Sequence, residues 1–316
     1  MKVVFMATAP FAVPALQALL ARPDMELVLV VTQPDRPSGR GQKIRYSTLK
    51  QTALEGECPL YQPDNVNSAQ ALERIRQADP DVLVVVAYGQ ILKEELLALP
   101  RLGAVNLHGS LLPAYRGAAP VHRAVMDGVR TTGVCTMHMA RQLDAGDVIH
   151  CLEVPVGPDM TAGELYDLLA DRGAGLLVQT LLDLRDGQAP RKVQDHGAAT
   201  YAPSIRKEEQ RIDWTRDSRS LHDFVRGMQP WPGAHTLYRG QPFGVLQTGL
   251  TEDDYPPAPP GTIVQAHPRK GLVVRTGDGV LTLIRVKPAG KKAMDARDFL
   301  NGVSIPEGAR FDGKEE

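Results

Sequence analysis

The stretch AVNLHGSLLP, residues 104–113, decides how we interpret the N-terminal half of this chain. A short apolar run contains Asn106 and His108, and because side chains alternate along a strand, both point from the same face. Gly109 and Pro113 then supply turn geometry that leads the chain away from a sheet. The stretch therefore predicts a buried strand whose end presents an amide and an imidazole to one site.

Strand patterns on both sides of this stretch predict a doubly wound α/β sheet. Residues 3–7 form a continuous apolar run, residues 25–31 and 81–86 also have strand patterns, and a helical pattern separates the first two. After the stretch, residues 133–139 and 148–156 have strand patterns as well. Ligands of open α/β sheets bind outside the carboxyl ends of the strands. The turns after Val86 and after His108 should therefore flank one crevice. A capping box at Thr161 and Glu164 predicts a long helix to about residue 184.

The composition changes after this helix, and the change predicts two domains. Residues 186–203 have little apolar periodicity, as is typical of a linker. Beyond about residue 211, short strand patterns favour a small barrel or sandwich. We expect strands at residues 234–239, 242–248, 261–266, 271–276 and 279–287. The predicted limits are 1–189 for a catalytic domain, 190–207 for a linker and 208–316 for the C-terminal domain.

Overall composition excludes several classes of protein. The chain has 316 residues, 43% of them hydrophobic, with a formal net charge of −1, which argues against disorder, a coiled coil or a wholly basic surface. The cysteines, Cys58, Cys135 and Cys151, show no Cys-x-x-Cys spacing, and we expect three thiols in a reducing compartment. Apolar runs are too short for a signal peptide or a membrane span. The sequence thus predicts a cytoplasmic protein.

A turn at residues 142–147, QLDAGD, adds a carboxylate to the proposed site. An amide at Asn106 and an imidazolium at His108 would stabilise the oxyanion formed when a nucleophile attacks an acyl-level carbon. Asp144 would stabilise the charged imidazolium or relay a proton. Ser110 lacks a Gly-x-Ser-x-Gly elbow, which favours direct transfer between two substrates over a covalent intermediate. By itself, an Asn-x-His pair on a strand is more often a packing feature.

The longer pattern favours catalysis. The string NLHGSLLP followed by RGAAP, residues 116–120, and later by LDxGD resembles the formyltetrahydrofolate-dependent formyltransferases. Further matches resemble the branch of that family that acts on methionyl-tRNA, and together they span nearly the whole chain. They are TQPDRPxGRG at 32–41, VVAYG at 85–89, RIDW at 211–214, PWP at 230–232 and PAGKKAM at 288–294.

The resemblance implies a Rossmann-like formyltransferase domain with a mostly parallel sheet, followed by a small OB-like β-barrel. It also implies a monomer without a metal, 10-formyltetrahydrofolate as donor and initiator methionyl-tRNA as acceptor. The matched catalytic residues are Asn106, His108 and Asp144. The matched folate-binding residues are Tyr88, Gly89, Ile91, Ser110, Leu111, Leu112 and Pro113. The residues expected to bind tRNA are Arg36, Arg40, Lys43, Arg45, Lys287, Lys291 and Lys292.

Three segments depart from the family pattern, and two other functions remain open. The basic arm continues into STLK at residues 47–50, where the family usually has Ser-Pro-Val-Lys. Residues 7–11 read ATAPF where the family usually has Gly-Thr-Pro-acid-Phe, and residues 140–142 lack the usual acid and glycine. A formyltransferase acting on an amino-sugar nucleotide would share the Asn-His-Asp core. A catalytically idle RNA-binding protein would also account for the basic C-terminal half. The basic arm at 36–50 and the second domain favour methionyl-tRNA as the acceptor.

Overall fold

The computed structural model describes residues 1–38, 43–44, 46–251 and 253–312. We number the helices and strands in chain order. The strands are β1 (Lys2–Ala7), β2 (Glu26–Val31), β3 (Pro37–Ser38), β4 (Lys43–Ile44), β5 (Leu60–Tyr61), β6 (Val82–Val86), β7 (Ala104–His108), β8 (Thr131–His138), β9 (Val148–Pro155), β10 (Ala234–Tyr238), β11 (Gln241–Leu250), β12 (Ile263–His267), β13 (Gly271–Arg275), β14 (Val280–Pro288) and β15 (Met294–Asp295). The helices are α1 (Val13–Leu20), α2 (Thr48–Glu55), α3 (Ala69–Gln77), α4 (Glu94–Leu97), α5 (Pro120–Met126), α6 (Ala162–Arg185), α7 (Ser218–Gly227) and α8 (Ala296–Gly302).

The chain forms two compact units. The first comprises Met1–Pro120, Thr131–Pro155 and Tyr166–Ala202, and the second comprises Val121–Arg130, Val156–Leu165 and the chain from Pro203 onward. Residues 190–202, expected as a linker, thus lie within the first unit. No helix in the described ranges is both long enough and apolar enough to cross a bilayer.

A seven-stranded sheet in the order β5-β2-β1-β6-β7-β8-β9 forms the centre of the first unit. The strands from β5 to β7 pair in parallel, whereas β8 and β9 continue the sheet antiparallel. Side chains of β1 and β6 are buried on both faces, which explains their continuous apolar sequence. The predicted α/β sheet is confirmed. The carboxyl ends of β6 and β7 lie side by side, as the doubly wound arrangement requires.

The second unit is a small antiparallel barrel, and the five predicted strands are confirmed as β10 to β14. They pair in the order β10-β11-β14-β13-β12, with β15 beside β14. Residues 309–312 join the two outer strands: the amide of Asp312 donates to the carbonyl of Leu237 at 2.9 Å, and that of Ile263 donates to Ala309 at 2.7 Å. These bonds close the sheet around Trp214, whose ring stacks on Phe311 at 5.9 Å.

Two helices of the second unit were not predicted, although their sequences carry helix-start features. The side chain of Asp217 accepts from the amide of Ser220 at the start of α7, and Asp295 accepts from the amide of Arg297 at the start of α8. Such acids are preferred N-caps. Both helices were missed because the strand patterns around them favoured an all-β interpretation of this region. The predicted capping box of α6 is confirmed, because Thr161 and Glu164 exchange hydrogen bonds at 2.8 and 3.2 Å.

The expectation of three free thiols is wrong for two of the cysteines. Cys135 on β8 and Cys151 on β9 lie directly opposite each other, and a disulfide joins them. Residues opposite each other in an antiparallel pair bring their Cβ atoms close enough for a bridge, and here the Cα atoms are 4.1 Å apart. A sequence separation of 16 residues does not reveal this pairing. Cys58 is a partly buried thiol whose pKa is raised by burial.

Candidate active site

Strand β7 carries the two polar side chains at the centre of the candidate site. Its residues pair with β6 on one side and with β8 on the other, so the strand lies inside the sheet. Asn106 lies opposite Met137, and His108 lies opposite Cys135 at the carboxyl end of β7. Asn106 is 9% exposed and His108 is 6% exposed. An imidazole and an amide buried to this degree act in a low-dielectric environment, where their interactions are strong.

The structure brings His108 and Asp144 together, as predicted. His108 Nδ1 lies 3.7 Å from Asp144 Oδ2, and both side chains are about nine-tenths buried. The opposite ring nitrogen, Nε2, donates to the carbonyl of Tyr115 at 2.9 Å. A carbonyl only accepts, so this bond places a proton on Nε2. A separation of 3.7 Å exceeds a hydrogen bond, and the carboxylate therefore acts on the ring by charge rather than by a shared proton.

The loop that carries Asp144 has an unusual backbone. Asp144 itself has a φ of +48°, in the left-handed region that residues other than glycine seldom occupy. Its carboxylate Oδ2 accepts from the amide of Gly117 at 2.8 Å. Gly146 lies so close to the carbonyl oxygen of His138 that a Cβ at position 146 would overlap it. Two contacts therefore hold the turn: the close approach of Gly146 to the carbonyl of His138, and the hydrogen bond from the amide of Gly117.

The turn after β7 is compact. Ser110 is fully buried, and its hydroxyl donates to the carbonyl of Ala114 at 2.6 Å. The side chain of Leu111 packs against Gly133 on β8, and Leu112 and Pro113, joined by a cis peptide bond, are half-buried. The hydroxyl of Ser110 thus shapes the turn. The predicted folate-binding run 110–113 lies directly after the strand that carries Asn106 and His108.

The loop after β6 carries the other three residues that were matched to folate binding. Gly89 has φ of +87°, and Ile91 is 82% exposed. Tyr88 is buried, its hydroxyl has no hydrogen-bond partner among the described residues, and burial raises its pKa to about 12. Its carbonyl accepts from Thr8 at 2.8 Å and from Gln33 at 3.1 Å. The atypical segment 7–11 thus supports this loop through Thr8.

A buried network next to Asp144 was missed by the sequence reasoning. Gln194 is 5% exposed and Arg116 is 1% exposed, and their side chains bond to each other at 2.6 and 3.1 Å. Gln194 also donates to the carbonyls of Asp144 and Gly146 at 2.9 and 2.7 Å. A single glutamine in a polar segment has no pattern that could have identified it.

The basic arm is described only in part. Arg36 is exposed, and Lys43 lies in β4, but the side chain of Lys43 and the whole of Arg40 and Arg45 lie outside the described residues. Side-chain hydrogen bonds hold the base of the arm. Lys50 is 8% exposed, and its ammonium group donates to Asp35 and, at 2.8 Å, to Gln62. The Lys50 hydrogen bond lowers the pKa of the Asp35 carboxyl.

In the second unit, the predicted tRNA-binding lysines are exposed. Buried and exposed residues alternate over the last part of β14, and Lys287 points outward between Val286 and Pro288. Lys291 and Lys292 follow in the turn before β15, and the ammonium group of Lys291 lies 5.6 Å from the ring centroid of Phe299. These lysines form one basic stretch of the barrel. In the described part of the chain, no group of three or more metal-ligating side chains is placed to hold an ion.

Comparison with known proteins identifies the family. Residues 1–181 match the formyl transferase family, and residues 204–304 match its C-terminal domain. The methionyl-tRNA formyltransferase of Moorella thermoacetica is 47% identical over 308 residues, which cover 98% of each chain. That of Symbiobacterium thermophilum is 43% identical, covering 98% of this chain and 95% of its own.

A solved structure shows the same fold at low identity. The N-formyltransferase from Helicobacter canadensis, in complex with folinic acid and dTDP-3-aminofucose, superimposes with a TM-score of 0.67 at 15% identity. The match covers 90% of this chain and 98% of that one. With both family domains matched and two full-length relatives above 40% identity, this chain is an enzyme that belongs to the formyl transferase family, within the branch of methionyl-tRNA formyltransferases.

Proposed function

We propose that this enzyme transfers the formyl group of 10-formyltetrahydrofolate to the α-amine of methionine on initiator tRNA. The observation that carries the proposal is the buried His108–Asp144 pair at the end of the strand that also carries Asn106. The names of the full-length relatives support methionyl-tRNA as the acceptor. The first unit would hold the reacting groups, and the barrel would contact the tRNA.

The three side chains have distinct roles in a direct transfer. The neutral amine attacks the formyl carbon, a new C–N bond forms, and the carbonyl electrons move to oxygen. The amide of Asn106 and the Nδ1–H of the His108 imidazolium donate to this oxyanion, since Nε2–H of the same ring is bonded to the carbonyl of Tyr115. The intermediate then collapses, the bond from carbon to N10 of the folate breaks, and N10 takes up a proton while the amine nitrogen loses one. Asp144 stabilises the charged form of the His108 ring by Coulomb attraction as the oxyanion develops.

The donor is expected to lie against the two loops that follow β6 and β7. The exposed side chain of Ile91 offers an apolar surface to the ring system of the folate, and Leu143, 60% exposed, offers a second one on the Asp144 turn. Backbone groups of Tyr88, Gly89 and residues 110–113 supply polar contacts. Apolar walls with a few convergent polar groups are typical of cofactor-sized ligand sites.

The acceptor is expected to bind through phosphate contacts on two basic segments. In the barrel, Lys287, Lys291 and Lys292 are exposed. In the first unit, Arg36 begins the arm that continues through Arg40, Lys43 and Arg45. Arginine and lysine contacts to phosphates give affinity that falls with salt, whereas discrimination of initiator from elongator tRNA requires contacts to base edges or ends. We assign that discrimination to the arm.

One assay with three acceptors tests the proposal. Purified enzyme receives 10-formyltetrahydrofolate and either initiator methionyl-tRNA, elongator methionyl-tRNA or a dTDP-linked amino sugar. We expect formylation of the initiator tRNA, slow formylation of the elongator tRNA and none of the sugar. Transfer to the sugar alone would establish the alternative acceptor, and equal transfer to both tRNAs would contradict the assignment of specificity.

Two substitutions separate catalysis from binding. Asn106→Ala and His108→Ala should each lower kcat by at least about 100-fold, the usual effect of removing one oxyanion donor. Binding of initiator tRNA, measured by filter retention at fixed salt, should remain within about twofold of the parent, since neither side chain is assigned to tRNA. A parent enzyme that binds tRNA but transfers no formyl group would instead be an idle RNA-binding protein.

A further inference from the structure

We propose that Gln194 is a positioning residue for formyl transfer, because it fixes the loop of Asp144 against the loop of Arg116. This inference rests on the proposed function only in that formyl transfer is its readout. Gln194 lies in none of the sequence motifs that carry the family resemblance. It also falls between the two family matches, which cover residues 1–181 and 204–304. Its role therefore comes from its contacts in the first compact unit.

The side-chain amide of Gln194 uses all of its hydrogen-bonding capacity. Its Oε1 accepts from Arg116 Nε at 3.1 Å and from Nη2 at 2.6 Å. Its Nε2 donates to the carbonyls of Asp144 and Gly146 at 2.9 and 2.7 Å. Arginine can only donate and a carbonyl can only accept, so the amide can have just this orientation. A glutamate at this position could keep the bonds to Arg116 but not those to the Asp144 loop.

Each loop that Gln194 joins also contacts the catalytic pair. The carbonyl of Tyr115 accepts from His108 Nε2 at 2.9 Å, and the amide of Gly117 donates to Asp144 Oδ2 at 2.8 Å. These two groups flank Arg116 in the chain. The amide of Gln194 thus connects the residue between them to the backbone of Asp144 itself, and it sets the position of the carboxylate relative to the ring.

The strained backbone of Asp144 explains why such a support is needed. Its φ of +48° is less favourable than an ordinary conformation for a residue with a side chain, and strained residues persist only when their surroundings hold them. The guanidinium of Arg116 is almost wholly buried, and its bonds are to Gln194 and to His196 Nδ1 at 3.2 Å. A buried cation needs these acceptors, because an unsatisfied buried charge is costly. Removing Gln194 would therefore disturb both loops together.

The segment around Gln194 is held in place independently of its side chain. Lys192 pairs with Val148, each amide donating to the other's carbonyl at 2.9 Å. Further along, the amide of Arg116 donates to Thr200 at 2.9 Å, and that of Ala202 donates to Arg116 at 2.7 Å. The segment from residue 192 to residue 202 is thus anchored at both ends by backbone hydrogen bonds. A substitution at Gln194 alone should change the site while this segment keeps its course.

The test is a double-mutant cycle on the steady-state kinetics of formyl transfer to initiator methionyl-tRNA. Gln194→Ala should lower kcat by about 10- to 100-fold, with KM for donor and tRNA within about twofold of the parent. In an Asp144→Ala background the same substitution should change kcat less than about threefold, because the carboxylate it positions is gone. Gln179→Ala, which removes an exposed amide bonded to Asp183, is the matched control and should behave as the parent.

Gln194→Glu keeps the inference testable if the alanine variant does not fold, since it retains the volume and the contact to Arg116. It should lower kcat as the alanine variant does. The inference is overturned if either folded variant transfers formyl groups at the parent rate, or if Gln194→Ala costs the same factor in both backgrounds. If the parent has no transferase activity, the proposed function fails. If the parent is active but Asp144→Ala is as active as the parent, the role of Gln194 fails, because that role acts through the Asp144 carboxylate.

Discussion

Replacing Asp144 by asparagine removes one charge from the site and leaves its shape almost intact. Asparagine can still accept from the amide of Gly117 through its side-chain oxygen, as the carboxylate does at 2.8 Å. The turn should therefore keep its course, and the melting temperature should stay within a few degrees of the parent. The change that remains is the loss of a negative charge 3.7 Å from His108 Nδ1.

The separation sets the size of the effect. Unit charges 3.7 Å apart attract by about 4 kcal/mol at an effective dielectric constant of about 20. A tenfold change in rate corresponds to about 1.4 kcal/mol, so the full loss would lower kcat about 1,000-fold. The amide dipole keeps part of the attraction, and we expect a decrease between about 100-fold and 1,000-fold. KM should change little, since the imidazolium matters most when the oxyanion forms.

The measurement is the steady-state rate of transfer of labelled formyl groups at saturating donor and tRNA, which gives kcat. Asp183→Asn is a matched control, because Asp183 also pairs with a histidine, His150, at 2.7 Å in the same unit, outside the proposed site. The control should retain the parent rate. A kcat for Asp144→Asn within about fivefold of the parent would refute the electrostatic role of this carboxylate.

Three further outcomes are expected. Lys287→Ala should weaken tRNA binding and reduce the slope of log affinity against log salt concentration by about 1, as measured by filter binding. A slope equal to that of the parent would argue against a phosphate contact. The side chain of Arg123, together with the backbone amide and side chain of Arg206, lowers the pKa of Glu209 from its ordinary value of 4.5 to about 2, and Arg123 contributes most. The ion pair of Glu209 with Arg123 therefore stabilises the fold at pH 7, and its contribution disappears as the pH falls from about 4.5 towards about 2. Glu209→Gln should lower the free energy of unfolding by about 1 kcal/mol at pH 7, after allowance for solvent screening, and by nearly nothing near pH 2 in urea titrations; an equal loss at both pH values would argue against the ion pair. Gly146→Ala should destabilise the protein by about 2 kcal/mol or more and remove most activity, because its Cβ would overlap the carbonyl of His138; parent-like urea unfolding would show that the turn can relax.

Local patterns in the sequence were enough to predict the longer strands of the first unit and the five main strands of the barrel. Apolar runs such as residues 82–86 correspond to strands buried on both faces, and the alternation at Asn106 and His108 follows from the geometry of any strand. The strands of the barrel carry the same local information. These features depend on near neighbours in the chain, and a local sequence is sufficient to specify them.

Long-range pairings were beyond what the patterns could reveal. The disulfide between Cys135 and Cys151 depends on the register of β8 against β9, and a shift of one residue would separate the two sulfurs. The contact that decides this pairing joins residues 16 apart in the sequence. Helix α7 is a different case: the Asp217 N-cap and the apolar Leu221, Phe224 and Val225 are local helix signals, and the helix was missed because its segment was interpreted by the short strand patterns that follow it.

The sequence by itself determined the α/β sheet, the five strands of the barrel and the candidate residues Asn106, His108 and Asp144. Only the tertiary structure decided how these side chains are held: the 3.7 Å approach of Asp144 to His108 and the support of that loop by Gln194, 50 residues further along the chain. The physical reason is that a buried polar group must find its partners wherever the fold brings them, and such partners leave no periodic trace in the sequence.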